Sequence, residues 1–491
     1  MERLLIAVLA LPLLVACRIF YNLFFHPLRS YPGPWYTRGS IVWYLYHSAK
    51  GDHTFALHDL HLKYGPVVRI APDELSFIGP QAWKDIYGHR AHGEPEYPKD
   101  PSHYFQDDPA HPHIVGAPRD HHSRLRRLLS NAFSDKALRE QEHVLSGYAI
   151  SLVEALRTKC SEPVDLSKWF NFTAFDMIGH LAFAESFNCI SSSKYHPWVS
   201  MVYSMAPFAN WTRMLGRLVS PGSVRSLLWL VPKGVMHEYY TSRQLTKERL
   251  LRRKDRRPEY TDFMTHMLKA EEQGAIDFAD LESNAPILVF AGSETTATAL
   301  SGVVYYVLRH PRVYDRLVRE IRSAFRHQGE ISLSRVNELR YLLAVLDETM
   351  RLYPPSVSNN PRVLPPQGAT ICGQHIPGNT KVGIPNYACF RSPDNFVNPD
   401  EFVPERFLDD YDEDSTYAGD KRDALQPFMV GPRNCIGRNL AYIEMRLILT
   451  HLLLEFDLEL APDMVGWEKQ KIFAAWLKKP LMVHLRPAGG A

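Results

Sequence analysis

The sequence predicts a mainly α-helical fold with small β-sheets, built as one large domain. Between about residues 121 and 350, apolar residues recur at three- and four-residue spacing, which is the period of packed helices. Between residues 355 and 434, short β-like runs separated by Pro and Gly replace that period. The chain shows no internal repeat and no second type of composition. One helix-rich domain with small sheets is therefore the simplest account.

The first element is an apolar N-terminal segment. Leu4 to Cys17 are apolar throughout, which alone is short for a bilayer span. A cleaved signal peptide is the alternative, since "VAC" resembles a cleavage site. The charges of "MER" cancel, however, whereas Arg18 and Arg29 follow the apolar run. We therefore expect an uncleaved membrane anchor over residues 1–25, with the main domain on the cytoplasmic side.

A proline-rich hinge and a β-hairpin follow the anchor. Residues 26–36 include three prolines within "HPLRSYPGPW", which predicts a stiff, extended connector. In "GPVVRIAPDELSFIG", two apolar runs flank a Pro-Asp turn, which predicts strands at residues 67–71 and 75–78. We expect the main domain to span residues 37–491.

The longest helix is predicted over "APILVFAGSETTATALSGVVYYVLRHP", residues 285–311. Its sequence is apolar nearly all round, so we expect the helix to be buried. Pro286 suits its first turn, and Pro311 lies just past its end.

The "AGSETT" stretch interrupts the apolar character of this helix. Gly292 is unfavourable in a helix by about 1 kcal/mol relative to alanine, so its presence needs a reason. Glu294 and Thr295 are polar groups among apolar ones. In one interpretation, the preceding turn satisfies them. In the other, the helix opens locally and offers a hydroxyl and a carboxyl to a small ligand.

Cys435 differs from the other five cysteines in its neighbours. The six are scattered and show neither zinc-like nor disulfide-framework spacing. Cys435 sits in the pattern F-x-x-G-x-R-x-C-x-G, spelled by Phe428, Gly431, Arg433, Cys435 and Gly437. Backbone N–H groups at a helix start, with Arg433 and Arg438, would lower the pKa of the thiol. Such a thiolate suits a nucleophile or a metal ligand, and no Cys-His-Asn order favours a hydrolase.

Charged residues behind this loop form a second pattern. Glu348 and Arg351 are three residues apart on a predicted helix and so share one face. Arg406, within "FVPERF", is a candidate partner that would turn the pair into a buried network.

Four motifs, in their order along the chain, resemble the cytochrome P450 family of haem-thiolate monooxygenases: "AGSETT", the Glu348 and Arg351 pair, "FVPERF" and the Cys435 loop. The anchor, the proline hinge and "HSRLRRLLSNAFS" are similar to membrane-bound enzymes of fungal secondary metabolism. The resemblance implies the cytochrome P450 fold, with a single helix-rich catalytic domain around haem b (iron protoporphyrin IX). It also implies a monooxygenase that uses O2 as cosubstrate.

The resemblance assigns roles to the reacting groups. Cys435 matches the axial thiolate ligand of the haem iron, which favours O–O cleavage. Thr295 matches the threonine that hydrogen-bonds the activated oxygen, and Glu294 the adjacent acid in proton delivery. Ala291 and Gly292 match the small residues that leave room for oxygen.

The resemblance also implies contacts around the cofactor. Haem propionates need cations, and Arg433, Arg126 and Arg362 match such contacts. His122 stands where the family has a tryptophan, a departure, although an imidazole can still donate to a carboxylate. Phe428 would pack near the sulfur, and Gly437 would let the loop approach the porphyrin.

The substrate-facing segments are expected, by analogy, to carry apolar side chains. The segments are residues 104–117, 203–215, 287–295, 357–361 and 472–477, and the side chains are Met205, Phe208, Trp211, Val289, Phe290, Ile472 and Phe473. They predict a lipophilic small-molecule substrate, although several could equally be core residues.

Electrons are expected from a partner protein. No G-x-G-x-x-G motif indicates an internal nicotinamide site, so NADPH–cytochrome P450 reductase is the expected donor, with cytochrome b5 as a second. Arg127 and Arg438 would contribute to a basic docking face. The formal net charge of +2 does not indicate a nucleic-acid partner. We expect a monomer on the endoplasmic reticulum membrane, single-pass, with its catalytic domain facing the cytoplasm.

Three alternatives remain open. A haem-thiolate isomerase or dehydratase would share the fold, although such relatives often lack the threonine found here as Thr295. A non-catalytic haem sensor would bind the cofactor alone, and a cysteine hydrolase would bind none. The sequons at Asn171 and Asn210 would carry sugar only if the domain were secreted.

Overall fold

The computed structural model describes residues 2–90, 94–104, 106, 108–219, 223–256, 260, 262–408 and 416–489. Within these, the side chains of residues 2–11, 199–207 and 225 lie outside the description. Met205 and the predicted lining positions Phe105 and Asp107 are therefore not placed.

Helices dominate the described part of the chain, as the sequence predicted. They are α1 Glu2–Phe24, α2 Trp35–Gly39, α3 Val42–Lys50, α4 His53–Tyr64, α5 Pro80–Tyr87, α6 Arg119–Ser130, α7 Asp135–Glu140, α8 Glu142–Arg157, α9 Leu166–Phe183, α10 Cys189–Ser192, α11 Pro197–Leu218, α12 Lys233–Asp255, α13 Phe263–Glu272, α14 Phe278–Arg309, α15 Pro311–Ala324, α16 Leu333–Val336, α17 Arg340–Leu352, α18 Asn386–Phe390 and α19 Arg438–Glu455. The helix start that the sequence indicated beside Cys435 is confirmed as the beginning of α19, with Gly437 as its N-cap.

The strands form three small sheets. They are β1 Val67–Ala71, β2 Glu74–Phe77, β3 Val164–Asp165, β4 Arg362–Val363, β5 Ala369–Ile371, β6 Gln374–Ile376, β7 Lys381–Gly383, β8 Phe456–Leu460 and β9 Met482–Pro487. The sheets have the orders β1-β2-β7-β4, β3-β9-β8 and β5-β6. The predicted hairpin is confirmed, because β1 and β2 pair antiparallel with Val67 opposite Phe77.

The central helix α14 begins earlier than predicted. An Asp277–Asp280 capping box starts it, and the Asp277 N–H donates to Asp280 Oδ2 over 3.1 Å. Pro286 therefore lies inside the helix, and its placement in the first turn was wrong. The helix packs against α9, α17 and α19. Its apolar window is 72% buried, which identifies α14 as a core helix although it is long and apolar enough to span a bilayer.

The N-terminal helix is followed by a hinge that is folded rather than extended. The described part of α1 includes a shorter apolar stretch, Pro12–Phe24. After it, residues 25–33 form turns and bends packed against β1, where the Arg69 N–H donates to Pro32 O over 2.7 Å. A Cβ on Gly33 would lie 2.6 Å from Arg69 O, so only glycine permits this approach. The prediction of an extended connector is thus wrong, because this segment folds back and packs against β1.

The predicted charged network is present and buried. Arg351 Nε donates to Glu348 Oε2 over 2.7 Å, and Arg406 Nε donates to Glu348 Oε1 over 3.2 Å. Asp420, which the sequence did not indicate, accepts from Arg406 Nη1. All four side chains are fully buried. Removing one member would leave a buried charge without its partner, which is why this network has a structural role.

Candidate active site

The cysteine loop is held in place by its own backbone. The Cys435 N–H donates to Phe428 O over 2.9 Å, and the Gly437 N–H donates to the Cys435 sulfur. Gly431 adopts φ 76°, and a Cβ there would lie 1.9 Å from Tyr87 O at the end of α5. Gly431 is therefore needed for close packing of the loop on α5. The Phe428 ring is half-buried and lies 5.2 Å from the ring of Tyr442, on α19.

The Cys435 sulfur faces a space inside the fold. Its side chain is accessible, although protein atoms surround it closely enough that burial raises the pKa of the thiol. The Gly437 N–H, Arg126 and Arg438 act in the opposite direction, as expected. Burial outweighs them, so the lowered pKa that we expected is wrong for the chain by itself. A bound metal ion would overcome the effect of burial on the Cys435 thiol, because a metal ion deprotonates a thiol that coordinates it.

Arg126 supports the loop directly. Its two terminal nitrogens donate to the backbone oxygen and to the Oδ1 of Asn434, each over 2.6 Å. Asn434 immediately precedes Cys435, so this fork from α6 fixes the backbone that presents the sulfur. The predicted propionate contact of Arg126 stays a prediction.

Cations crowd together on the side of the site where Arg433 lies. Arg433 Nε donates to Glu96 Oε1 over 2.7 Å, and its Nη1 donates to Ala117 O over 2.8 Å. Burial, together with the positive charges of Arg362 and Arg433, holds the pKa of Lys99 well below its usual range. Burial and the same neighbours lower the pKa of His122 to about 3, so its imidazole is neutral at physiological pH.

This cluster is short of negative charge. Glu96 is the carboxylate that acts on Lys99 and pairs with Arg433. Arg362 is 2% exposed, and its Nη1 has no partner in the described structure. A buried guanidinium nitrogen without an acceptor is costly, so the region calls for anionic oxygens. Two propionates supply them, and a neutral His122 can donate to one, so these residues fit a haem.

A face of α14 with small side chains opens into the same interior. Ala291 is exposed and Thr295 half-buried, although most residues around them on the helix are buried. The Thr295 hydroxyl donates to Ala291 O over 2.6 Å. The helix is continuous through this point, so the predicted local opening is wrong. The hydroxyl is satisfied by the preceding turn without displacing a backbone hydrogen bond, which leaves its lone pairs available.

Gly292 faces the neighbouring helix. A Cβ on Gly292 would lie 2.5 Å from Ile178 Cδ1, on α9. Close packing of α9 against α14 is thus a physical reason for this glycine. The expectation that Gly292 makes room for oxygen stays a prediction, and Ala291 is the better placed of the two.

Glu294 points away from Thr295. Its carboxylate forms an ion pair with Lys478 Nζ, and Thr298 Oγ1 donates to Glu294 Oε1 over 3.2 Å. Both charged side chains are at least 95% buried. Glu294 Oε2 has no partner among the described residues. In this arrangement, the carboxylate is held by the C-terminal segment rather than by the Ala291 and Thr295 face.

The predicted substrate-facing side chains differ in their placement. Val289, Phe208 and Ile472 are buried, and Phe208 stacks on Tyr239 at 5.5 Å, as core residues do. Phe290 and Phe473 are half-buried, and Trp211 is exposed. Two of the predicted segments, 104–117 and 357–361, do meet, because the Tyr104 hydroxyl donates to Asn360 Oδ1 over 3.3 Å. Next to this contact, His103 Nε2 lies 3.1 Å from Ser358 Oγ.

With this geometry established, the chain can be assigned to a family. The family model described as Cytochrome P450 matches residues 30–485, and the chain belongs to that family. Its enzyme class is accordingly that of the oxygen-incorporating oxidoreductases, and its fold is the cytochrome P450 fold.

Its relatives are fungal enzymes matched over nearly their whole length. The chain is 44% identical to cytochrome P450 monooxygenase astA of Talaromyces wortmannii, over 96% of this chain and 94% of that protein. It is 43% identical to cytochrome P450 monooxygenase tpeC of Talaromyces stipitatus, over 98% and 95%. It is 42% identical to the trichothecene C-15 hydroxylase of Fusarium sporotrichioides, over 96% and 95%.

Sequence reasoning missed several residues that matter at the site. Lys99 and Lys478 are brought in from loops distant in sequence, and no local pattern marks either one. Asn434 could have been noticed, since it lies between Arg433 and Cys435, but its bond to Arg126 is a tertiary contact.

Proposed function

We propose that this protein is a haem-thiolate monooxygenase that inserts one oxygen atom from O2 into a lipophilic small molecule, in fungal secondary metabolism. The substrate class would be a terpenoid, polyketide or alkaloid. The observation that carries the proposal is the accessible Cys435 sulfur, held by the Gly437 N–H beside a buried cation cluster that lacks counter-charge. The match to named monooxygenases over almost the whole chain supports it.

Different residues of the chain would bind the iron and the propionates of the cofactor. Cys435 would hold the haem iron, with Gly437 and Arg126 fixing the loop that presents its sulfur. Arg362, Arg433, Lys99 and His122 would bind the propionates. When bound, haem supplies the activation of O2, with the thiolate favouring O–O cleavage.

Thr295 would position and transfer a proton on the α14 face. Its hydroxyl donates to Ala291 O, so its oxygen can accept a hydrogen bond from the interior side. Glu294 would be the adjacent acid. Its carboxylate is paired with Lys478, so a role in proton delivery requires a side-chain rotation that breaks this pair.

Electron supply and location are part of the same proposal. The exposed Arg127 and Arg438 lie on α6 and α19, the helices that hold the cysteine loop, and suit docking of NADPH–cytochrome P450 reductase or cytochrome b5. Helix α1 carries exposed apolar side chains such as Phe20 and Phe24, which suit burial in a bilayer. We place the protein on the endoplasmic reticulum membrane as a single-pass monomer with its catalytic domain in the cytoplasm.

The test is the absorption spectrum of the reduced, CO-bound protein. Thiolate ligation predicts a strongly red-shifted Soret band that disappears in Cys435→Ala. Cys160→Ala, at a half-buried cysteine in the turn after α8, is the matched control and should keep the band. A folded protein that shows no such band would overturn the proposal. Substrate-dependent NADPH consumption with added reductase then separates a monooxygenase from an isomerase or a sensor.

A further inference from the structure

The C-terminal half of α11 lies on the loop formed by residues 100–104. A Cβ on Gly216 would lie 2.7 Å from Ser102 O, so the helix and the loop touch at this point. One residue further along, Arg217 pairs with Glu74 and lies 3.7 Å from Asp100 Oδ2. Arg213 is one turn before Arg217 and on the same helix face. Its side chain is therefore directed to the part of the loop that follows Ser102.

The two arginines differ in their charge balance. Arg217 is buried between Glu74 and Asp100, and the Tyr44 ring lies under its guanidinium at 4.8 Å. Arg213 is half-buried, and no residue in the described part of the chain gives it a hydrogen bond or an ion pair. A half-buried cation without an acid beside it is available to a ligand that supplies the counter-charge.

Hydrogen-bonding groups from two other segments flank Arg213. His103 is 8% exposed, with its Nε2 on Ser358 Oγ and its Nδ1 without a partner in the described structure. The Tyr104 hydroxyl reaches Asn360 Oδ1. Tyr104, Ser358 and Asn360 belong to the segments 104–117 and 357–361, which the family resemblance assigns to the substrate side, and His103 directly precedes the first of them.

The charge of Arg213 acts on both His103 and Tyr104, in agreement with its place on the helix. After burial, the charge of Arg213 is the largest influence that lowers the pKa of His103, ahead of that of Arg217. Arg213 also acts to lower the pKa of Tyr104, second to Arg362 among the charges. Tyr104 is thus close enough to both Arg362 and Arg213 to feel the charge of each.

We propose that Arg213, with Tyr104 and His103, forms a carboxylate-binding subsite, so that the substrate of this enzyme is a lipophilic acid rather than a neutral hydrocarbon skeleton. This inference rests on the proposed monooxygenase function and narrows its substrate. Arg213 provides the charge, and the Tyr104 hydroxyl and the His103 ring provide hydrogen bonds. Apolar side chains such as Phe290 contact the rest of the molecule.

The experiment uses the haem-loaded, full-length protein and tethered probes. The probes are imidazol-1-yl alkanoic acids of increasing chain length and their methyl esters, because the imidazole binds the iron and reports binding as a shift of the Soret band. At one chain length, we expect the acid to bind at least about ten-fold more tightly than its ester, an ordinary strength for a buried charge-assisted contact. Arg213→Gln should abolish this preference and Arg213→Lys should retain part of it.

Arg319→Gln, on the exposed side of α15, is the control for net charge and should keep the preference. If acids and esters bind equally at every length, or if Arg213→Gln keeps the preference, the subsite does not exist. If the chain held no haem, none of the probes would shift the Soret band. If it held haem without monooxygenase activity, the probes would still report the acid preference, and the NADPH assay would show no substrate-dependent consumption. Urea unfolding of Arg213→Gln confirms that a lost preference is not lost folding.

Discussion

Lys478 and Glu294 form an ion pair that ties the C-terminal segment to the centre of α14. The pair is almost completely buried, and Lys478 Nζ also donates to Thr298 Oγ1 over 2.9 Å. Burial lowers the pKa of Lys478, while the Glu294 charge opposes that shift. The residue expected to deliver protons is thus also a structural anchor.

Replacing Lys478 alone should be strongly destabilising. Lys478→Met would leave the Glu294 carboxylate buried without its partner, which costs about 3–5 kcal/mol in comparable pairs. The double variant Glu294→Gln/Lys478→Met removes both charges and should recover most of that loss. Urea unfolding of the single and double variants measures the coupling energy between the two residues. Equal stability of Lys478→Met and the parent protein would contradict the buried pair.

Glu444 should make the protein less stable as pH rises. Burial raises the pKa of this α19 carboxyl to about 8, although Thr296 Oγ1 donates to its Oε2 over 2.9 Å. The pKa of Glu444 in the folded protein lies above its ordinary value of 4.5. The contribution of this group to the free energy of unfolding is therefore fully present below pH 4.5, where the carboxyl is protonated in both states. That contribution is lost as the pH rises from 4.5 to about 8. Glu444→Gln should remove this dependence and be more stable by about 3 kcal/mol at pH 7.

The measurement for Glu444 is the free energy of unfolding between pH 5 and pH 9. Glu459→Gln, at an exposed position of β8, is the matched control and should keep the slope of the parent protein. Parallel pH curves for the parent and Glu444→Gln would show that this carboxyl does not titrate as described.

Gly292→Ala tests why a glycine stands in the central helix. The new methyl would meet Ile178 Cδ1 at 2.5 Å, and overpacking of this kind costs about 1–3 kcal/mol. Ile178→Val removes that carbon, so the double variant should regain stability beyond the sum of the single changes. Thermal unfolding of the four proteins gives the coupling. Additive effects would mean that the glycine has another role, such as room for a ligand.

Gly437 and Gly431 should respond differently to alanine. At Gly431, positive φ and the Tyr87 carbonyl at 1.9 Å forbid a Cβ, so the apoprotein itself should be destabilised. At Gly437, a Cβ would make only ordinary contacts, 3.8 Å to the Phe133 ring and 3.9 Å to Cys435 Sγ. We expect Gly437→Ala to fold normally but to bind less haem, because its methyl would lie beside the sulfur. Normal haem content in Gly437→Ala would remove Gly437 from the cofactor contacts.

The sequence predicts best what depends on local spacing. Glu348 and Arg351 are three residues apart and therefore share a face of any helix that contains both. The glycines around Cys435 marked the loop as special, although the contact that requires Gly431, with the Tyr87 carbonyl, comes from another element. The start of α14 was missed although its Asp277–Asp280 box is a local signal, because Pro286 suggested a later beginning. Pro286 was thus given more weight than the capping box, which is the signal that the helix follows.

Tertiary contacts explain what the sequence could not predict. The orientation of Glu294 is decided by Lys478, which lies 184 residues further along the chain. The pKa of Cys435 is decided by burial, which opposes the helix terminus and the arginines that its local pattern displays. In both cases the sequence identified the residue as a candidate. It could not predict the surroundings of that residue, because these surroundings come from segments distant in the chain.

Thr295 offers the most direct test of the chemistry on the α14 face. Thr295→Val keeps the shape of the side chain and removes a hydroxyl whose only described bond is to Ala291 O, so stability should fall by about 1 kcal/mol or less. If the hydroxyl directs protons, the fraction of NADPH electrons recovered as hydrogen peroxide should rise several-fold in the reductase-coupled assay. Thr295→Ser retains a hydroxyl and should stay near the parent value. An unchanged peroxide fraction in Thr295→Val would mean that the hydroxyl only satisfies its own helix.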